Sequence, residues 1–408
     1  MRNTILFKQM KPDKHLHIKI NNNYKAVFSS KTGLLNGFIN SKNKSLKSKI
    51  DFFEYRAVEG YEQSGAYLFI PDTNAIFVNY EEQIEWFRIE YGKLRIRVCV
   101  KMRFLLNCVE FNPTINELLD MKYPYFNVWN VIDMKYLPNI EIAMVIRTDI
   151  NSQNEFYTDL NGYQFTKRKY YEKLPIQANF YPMPAGLFIQ DSKFRFNILS
   201  AQPLGVTSFN SSVQIILDRH LEQDDKRGLG QFVNDNVPTS SKFIMYFENM
   251  DKISKKLIDY PTLNFDLLST NLLNPIIKLV SLSKEEKFVE RKSFISPNLP
   301  CDLKLINLRS MQSDETNEPI KNELGLILHR LISEECSFDN LTKMCFKHIK
   351  RSTSFRDFFQ KSTNKSDNLK VQKTQLDLSS INSRDISLDH SILSLIQPME
   401  IKAFKINF

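Results

Sequence analysis

From Lys93 to Phe104 every second residue is apolar: Leu94, Ile96, Val98, Val100, Met102 and Phe104 alternate with Lys93, Arg95, Arg97, Cys99, Lys101 and Arg103. A period of two sorts side chains onto the faces of a half-buried strand and cannot be sorted onto one face of a helix. The preceding stretch, Ile84 to Tyr91, is rich in β-forming residues and ends at Gly92, so the two segments predict a hairpin with a tight turn. The same period recurs at Ile140, Ile142, Met144 and Ile146, at Phe194, Phe196 and Ile198, at Val213, Ile215 and Leu217, and from Phe243 to Phe247. Turn residues punctuate these runs at Lys31-Thr32-Gly33, Asp159-Leu160-Asn161-Gly162 and Asp191-Ser192-Lys193. Many short strands with few helix signals predict an all-β, antiparallel sandwich.

The organisation follows from changes in texture. The 408 residues suffice for two or three domains at roughly 100 to 200 residues each. Between residues 250 and 300 the chain turns Leu-, Ser- and Lys-rich and carries Pro261, Pro275, Pro297 and Pro300, as a connection between two bodies would. The expected layout is an N-terminal extension over 1–18, a large β-sandwich over 19–250, a connecting segment over 251–297 and a smaller C-terminal β-sandwich over 298–408. Within the last, Leu303 to Met311 and Leu324 to Ile332 are apolar, and the polar stretch 351–383 predicts a long or partly disordered loop. The alternation slips at Ala403 and Phe404 near the C-terminus, which predicts a β-bulge there.

Composition excludes several classes. With 42% hydrophobic and 12% aromatic residues the chain is too rich in core formers to be disordered. Its charge of +9 is spread out, so nucleic acid is not an expected partner. Of eleven glycines the only close pair is Gly228 and Gly230, which excludes the dinucleotide fingerprint; a P-loop is absent too. Five cysteines without Cys-x-x-Cys spacing predict no disulfide framework and leave the redox compartment open. No run reaches the roughly 18 apolar residues of a membrane helix, so no membrane segment is expected. The one close histidine pair, His15 and His17, could share a strand face as metal ligands, but a polar terminal segment explains it more simply, and no metal site is read. Gly-x-Ser-x-Gly and His-Glu-x-x-His are absent, and carboxylates are too many to pair by spacing.

Three segments combine groups that suit a binding cleft. Leu217 to Gln231 follows a predicted strand, mixes both charge signs and ends with two glycines; it reads as a cleft loop or as a solvated loop with surface ion pairs. Glu155 to Gln164 and Lys173 to Pro184 set aromatics beside amides and carboxylates, which suits sugar rings and equally suits a packed sheet edge. Ser64 to Pro71 offers a small-residue entry to a strand, with Tyr67 free to present its hydroxyl.

In their order these segments resemble the C-terminal region of the Golgi α-mannosidase II group of glycoside hydrolase family 38. The resemblance rests on SGAYLFIP (64–71), FYTDLNGYQ (156–164), KLPIQANFYPMP (173–184), AQPLGV (201–206) and ILDRHLEQDDKRGLGQ (216–231), with weaker echoes at INLRSMQS (306–313), LGLILHR (324–330) and IQPMEIKAF (396–404). It implies a galactose-mutarotase-like supersandwich followed by a smaller sandwich. It also implies a retaining, zinc-dependent enzyme that trims mannose from N-glycans in the Golgi lumen. Nucleophile, acid/base and zinc ligands are then expected in a preceding α/β domain, so this chain alone should be inactive and bind no cofactor itself. By the same resemblance, the Tyr67 hydroxyl and the Arg227 backbone carbonyl are expected to meet sugar hydroxyls, with Asp224, Asp225, Gly228 and Gly230 shaping the second loop. Lys226 and His220 depart from the family's usual residues. The expected partners are the glycan and the α/β domain, and a homodimer is one arrangement the sequence allows. The rival expectation is a stand-alone, noncatalytic carbohydrate-binding module.

Overall fold

The computed structural model describes residues 3–7, 15–60, 62–78, 83–112, 123–235, 237–253, 258–277, 279–280, 300, 302–313, 316, 318–331, 354–359, 369–378 and 385–407. They divide into two units, Met1–Ile276 and Ile277–Phe408.

Among the described residues the first unit holds antiparallel sheets of ten, six and four strands. The ten-stranded sheet runs in the order Asn3–Phe7, Ile84–Tyr91, Ile96–Met102, Leu105–Phe111, Tyr125–Ile132, Thr239–Asn249, Phe194–Ser200, Gly186–Gln190, Glu155–Leu160 and Gln164–Lys169. The six-stranded sheet runs Tyr181–Met183, Leu204–Phe209, Ser212–His220, Ile140–Thr148, Ser48–Arg56 and Ile76–Phe77. The four-stranded sheet comprises Leu16–Lys19, Tyr24–Phe28, Leu35–Asn40 and Ser45–Leu46. One apolar core joins the inner faces of all three, with Phe28 and Phe38, Phe52 and Met144, Phe126 and Phe196 among its buried members. The chain is thus an all-β protein.

The alternating segment behaves as its period requires. Ile96, Val98, Val100 and Met102 are buried, and Ile84–Tyr91 pairs with Ile96–Met102 as a hairpin whose Gly92 N–H donates to the Arg95 carbonyl at 2.8 Å. Residues 93–95 belong to the turn, so pairing starts three residues later than the alternation. The cysteines correct the sequence expectation. Cys99 and Cys108 stand directly opposite each other on neighbouring strands and form a disulfide. Their spacing carries no signal because the hairpin register, not the interval along the chain, brings them together.

Elsewhere the alternation is masked because both faces are covered. The helix Leu263–Leu273, capped by the Thr262 hydroxyl accepting from the Phe265 N–H, lays Phe265 and Leu268 on Tyr157, Phe188, Leu199 and Tyr246. The strand Phe194–Ser200 therefore buries Phe196 and Ile198 on one side and Arg195, Asn197 and Leu199 on the other.

Among the described residues the second unit holds a four-stranded antiparallel sheet in the order Leu303–Gln312, Pro319–Arg330, Ile401–Asn407 and Lys370–Thr374. Two expectations are corrected here. The register of Ile401–Asn407 is continuous through Ala403 and Phe404, and the irregularities fall instead in Leu303–Gln312 at Leu305/Asn307 and Ser310/Gln312. Of the polar stretch 351–383, residues 351–353, 360–368 and 379–383 lie outside the described residues, and the rest holds two regular elements besides the turn at 375–378: the helix Phe355–Phe359 buries Phe355, Phe358 and Phe359 beside Val371 of the edge strand Lys370–Thr374. Its aromatics are core residues diluted by polar neighbours.

Candidate functional site

The strands Ser48–Arg56 and Ser212–His220 flank Ile140–Thr148, and Arg56 and His220 both stand opposite Ile140. The loops that leave these two strands therefore emerge at the same end of the six-stranded sheet. The first, carrying residues 64–71, is not the strand entry expected from sequence. It is a loop closed by the Ala57–Pro71 bridge, by Gly65 N–H donating to the Leu68 carbonyl at 3.1 Å, and by Ser64 Oγ, which accepts from the Ile70 N–H at 2.8 Å and donates to the Ile70 carbonyl at 3.0 Å. The second loop is pinched shut where Leu221 and Val233 exchange backbone hydrogen bonds of 2.8 and 3.0 Å.

One carboxylate ties the loops together. Asp225 Oδ2 accepts from the N–H groups of Tyr67 (2.6 Å) and Leu68 (3.0 Å), while Oδ1 accepts from the Arg227 N–H (3.2 Å). Asp225 is only 5% exposed, whereas Tyr67 is 62% exposed and Arg227 lies in the exposed stretch 226–232. Burial acts to raise its carboxyl, but those three backbone donors and the Arg227 guanidinium hold it below the usual carboxylate range. Further ties run from Gln63 Nε2 to the Asp224 carbonyl (2.6 Å) and from Gln223 Nε2 to the carbonyls of Val58 (3.1 Å) and Ser64 (3.2 Å). The approach is closest at Gly65, where an added Cβ would stand 2.3 Å from the Asp225 nitrogen. Left-handed backbone at Lys226 (φ 57°), Gly228 (φ 108°) and Gly230 (φ 63°) lets the loop turn sharply, at little cost for the glycines.

Behind the loops, Arg219 Nη2 donates to the Leu68 carbonyl at 2.8 Å and to Glu141 Oε1 at 2.6 Å. Burial pushes the Glu141 carboxyl up to about 7 despite the opposing pull of Arg219. The native state therefore holds a proton that the unfolded chain has released, and the stability this brings is full below pH 4.5 and lost as pH rises to about 7, a swing of up to about 3 kcal/mol. Glu141→Gln removes that titration. Denaturant melts are expected to show the variant gaining on the unmodified protein from pH 5 to pH 8; a gap that stays constant with pH would contradict the assignment.

The structure thus brings the two sequence-predicted site residues together through Asp225, which was expected only to shape its own loop and which also holds the first loop. Asp225 stands beside Asp224 in a run of like polar residues, and only its burial distinguishes it. His220 is buried, its Nδ1 2.9 Å from the Met134 carbonyl, which makes it a strand-end anchor rather than a loop-surface group. Asp159 is also structural, accepting from the N–H groups of Gly162 (2.6 Å), Ala185 (2.8 Å) and Gly186 (2.9 Å), and Asn179 bridges the backbone of Tyr171. His15 and His17 are exposed. Among the described residues no three His, Cys, Asp or Glu side chains come together to hold a metal ion, so these residues do not fit a zinc site.

Residues 20–227 match the family described as the glycosyl hydrolases family 38 C-terminal domain. A human protein named alpha-mannosidase 2 is 34% identical over 397 residues, which covers 95% of this chain and 34% of that protein. Mouse alpha-mannosidase 2x is 36% identical over 327 residues, covering 76% of this chain and 27% of that protein. The crystal structure of an alpha-mannosidase from Enterococcus faecalis V583 superposes with a TM-score of 0.60 over 98% of this chain and 43% of that one; at 10% identity it shows a shared fold. The chain spans about a third of the length of the curated relatives it matches.

Proposed function

The chain belongs to glycosyl hydrolase family 38, and with that membership as premise we propose that it is the part of an α-mannosidase II-like enzyme that completes the pocket in which α-linked mannose of an N-glycan is trimmed. The observation that carries this reading is the Asp225 carboxylate, which binds the backbone of Tyr67 and of Arg227 at once and leaves both residues exposed at one end of the sheet. A sugar hydroxyl is both donor and acceptor. A tyrosine hydroxyl can answer either role and a backbone carbonyl can accept. Leu229 and Phe232, 45% and 51% exposed, add apolar surface beside the same loop, suited to covering by a neighbouring domain.

In this reading the loop pair binds and orients the ring, and neither Tyr67 nor Arg227 attacks carbon or protonates the glycosidic oxygen. The nucleophile, the acid/base group and a zinc ion belong to an α/β region of the longer protein. The Cys99–Cys108 disulfide supports placement in an oxidising lumen such as the Golgi. Among the described residues no helix is long and apolar enough to cross a membrane.

The test is made in the longer protein that includes an α/β region. Tyr67→Phe is expected to lower kcat/KM on an aryl α-mannoside by roughly tenfold to a hundredfold through loss of a hydrogen bond to substrate. Arg227→Ala, which keeps the carbonyl, is expected to cost less than about threefold. An unchanged Tyr67→Phe enzyme would contradict the reading, and an Arg227→Ala loss as large as that of Tyr67→Phe would move the role to the guanidinium.

A further inference from the structure

The outer face of the six-stranded sheet, away from the core, carries a cavity of about 300 Å³. Five aromatic side chains line it: Phe53, Tyr55, Tyr170, Phe180 and Phe209. Four of them pack in pairs, Tyr170 stacked on Phe209 at 4.7 Å and Tyr55 edge-on to Phe180 at 5.9 Å, and Phe53 packs edge-on to Phe77 at 5.6 Å. Polar groups are set between the rings. Tyr55 donates its hydroxyl to Gln214 Oε1, and Asn74 and Asn210 stand exposed at the rim. Thr207, opposite Gln214 in the sheet register and 1% exposed, has a buried hydroxyl with no hydrogen-bond partner. The charged side chain of the lining, Arg147, is committed: it pairs with Asp51 and lies over the Phe53 ring at 5.0 Å.

We infer that this cavity is a second carbohydrate site, which takes a single neutral pyranose ring. The balance of groups selects the ligand class. A purely apolar ligand would cover the amides of Gln214, Asn74 and Asn210 without answering them. An anion would find a single cation in an otherwise neutral lining, and that guanidinium is already held by Asp51, which Lys49 also contacts at 3.0 Å, and by the Phe53 ring. A pyranose has C–H faces that lie against aromatic rings and equatorial hydroxyls that reach amides and hydroxyls at the ring edge. The volume stands at the small end of the roughly 300–1,000 Å³ range of ligand sites, which suits one ring. The inference rests on the cavity and is independent of the role given to Tyr67 and Arg227. Phe69 of the first loop packs on Tyr55 (5.4 Å) and Phe180 (5.1 Å), so the wall of the cavity is also the footing of that loop.

The full 408-residue chain, produced without glycosylation because Asn210-Ser211-Ser212 at the rim is a sequon, is titrated with N-acetylglucosamine and with methyl α-mannopyranoside by saturation-transfer NMR and calorimetry. At least one is expected to bind with a Kd in the millimolar range. Tyr170→Ala and Gln214→Ala are expected to weaken it about tenfold, and the exposed Asn74→Ala, which threatens no packing, about threefold. Tyr136→Ala, an exposed aromatic in neither site, leaves it unchanged. Circular dichroism melts confirm that each variant is folded. The inference is overturned if neither sugar binds, if Asn74→Ala and the folded cavity variants bind as tightly as the unmodified chain, if glucuronate binds more tightly than both neutral sugars, or if Tyr67→Phe rather than the cavity variants removes binding.

Discussion

Asp225→Ala is expected to loosen two loops at once. The amides of residues 64–70 and of 224–231 should exchange hydrogen for deuterium faster in step, by roughly tenfold or more, because the carboxylate that accepts from Tyr67, Leu68 and Arg227 is gone. Gly65→Ala should reach the same state by a different route, since its Cβ would overlap the Asp225 backbone and push the loops apart. In a longer protein that carries the proposed α/β region, both variants are expected to lower kcat/KM by about a hundredfold, as misplacement of positioning groups does. Loosening of one loop alone would show that the clasp is not shared, and activity that survives loosening of both would separate the clasp from function.

Arg195→Met should produce the largest loss of stability. Arg195 is fully buried and donates to Gln190 Oε1 (2.9 Å) and to the carbonyls of Ile258 and Tyr260 (2.7 Å each), with its guanidinium 4.1 Å over the Phe188 ring. Methionine fills most of the volume but leaves those acceptors unanswered. It also leaves Glu248, across the register, without its neighbouring cation. Removing one partner from such a buried arrangement costs about 3 to 5 kcal/mol. Equilibrium urea unfolding is expected to show that loss. A change under about 1 kcal/mol would mean that the carbonyls find other donors and that Arg195 does not hold the segment leading to the helix Leu263–Leu273.

Much of this was legible in the residues. The period of two at residues 96–102 and 140–146 encodes strands with one face in a core, and the turn residues encode their ends. The blocks around Tyr67 and Arg227 were legible as a family resemblance and as polar loops. What the sequence conceals depends on contacts between distant segments. Arg195 and Asn197 look like solvent-facing positions of a strand, until the segment 258–273 covers them. Cys99 and Cys108 are paired by register, not by a spacing rule. Asp225 and Asp224 are chemically the same, and only the packing of the first loop, with Gly65 against Asp225, buries one of them as the clasp. Ala403 breaks an alternation without a bulge because it is buried with Thr374 on the other face of its strand.

In the proposed function this chain shapes a mannoside pocket while the reacting groups belong to another region of a longer protein. This reading is tested most directly by assaying the purified 408-residue chain for aryl α-mannoside hydrolysis, with zinc added and with zinc chelated, beside the longer protein under the same conditions. The account predicts cleavage by the longer protein and none above the uncatalysed rate by this chain. Zinc-dependent cleavage by this chain alone, lost on chelation, would contradict it.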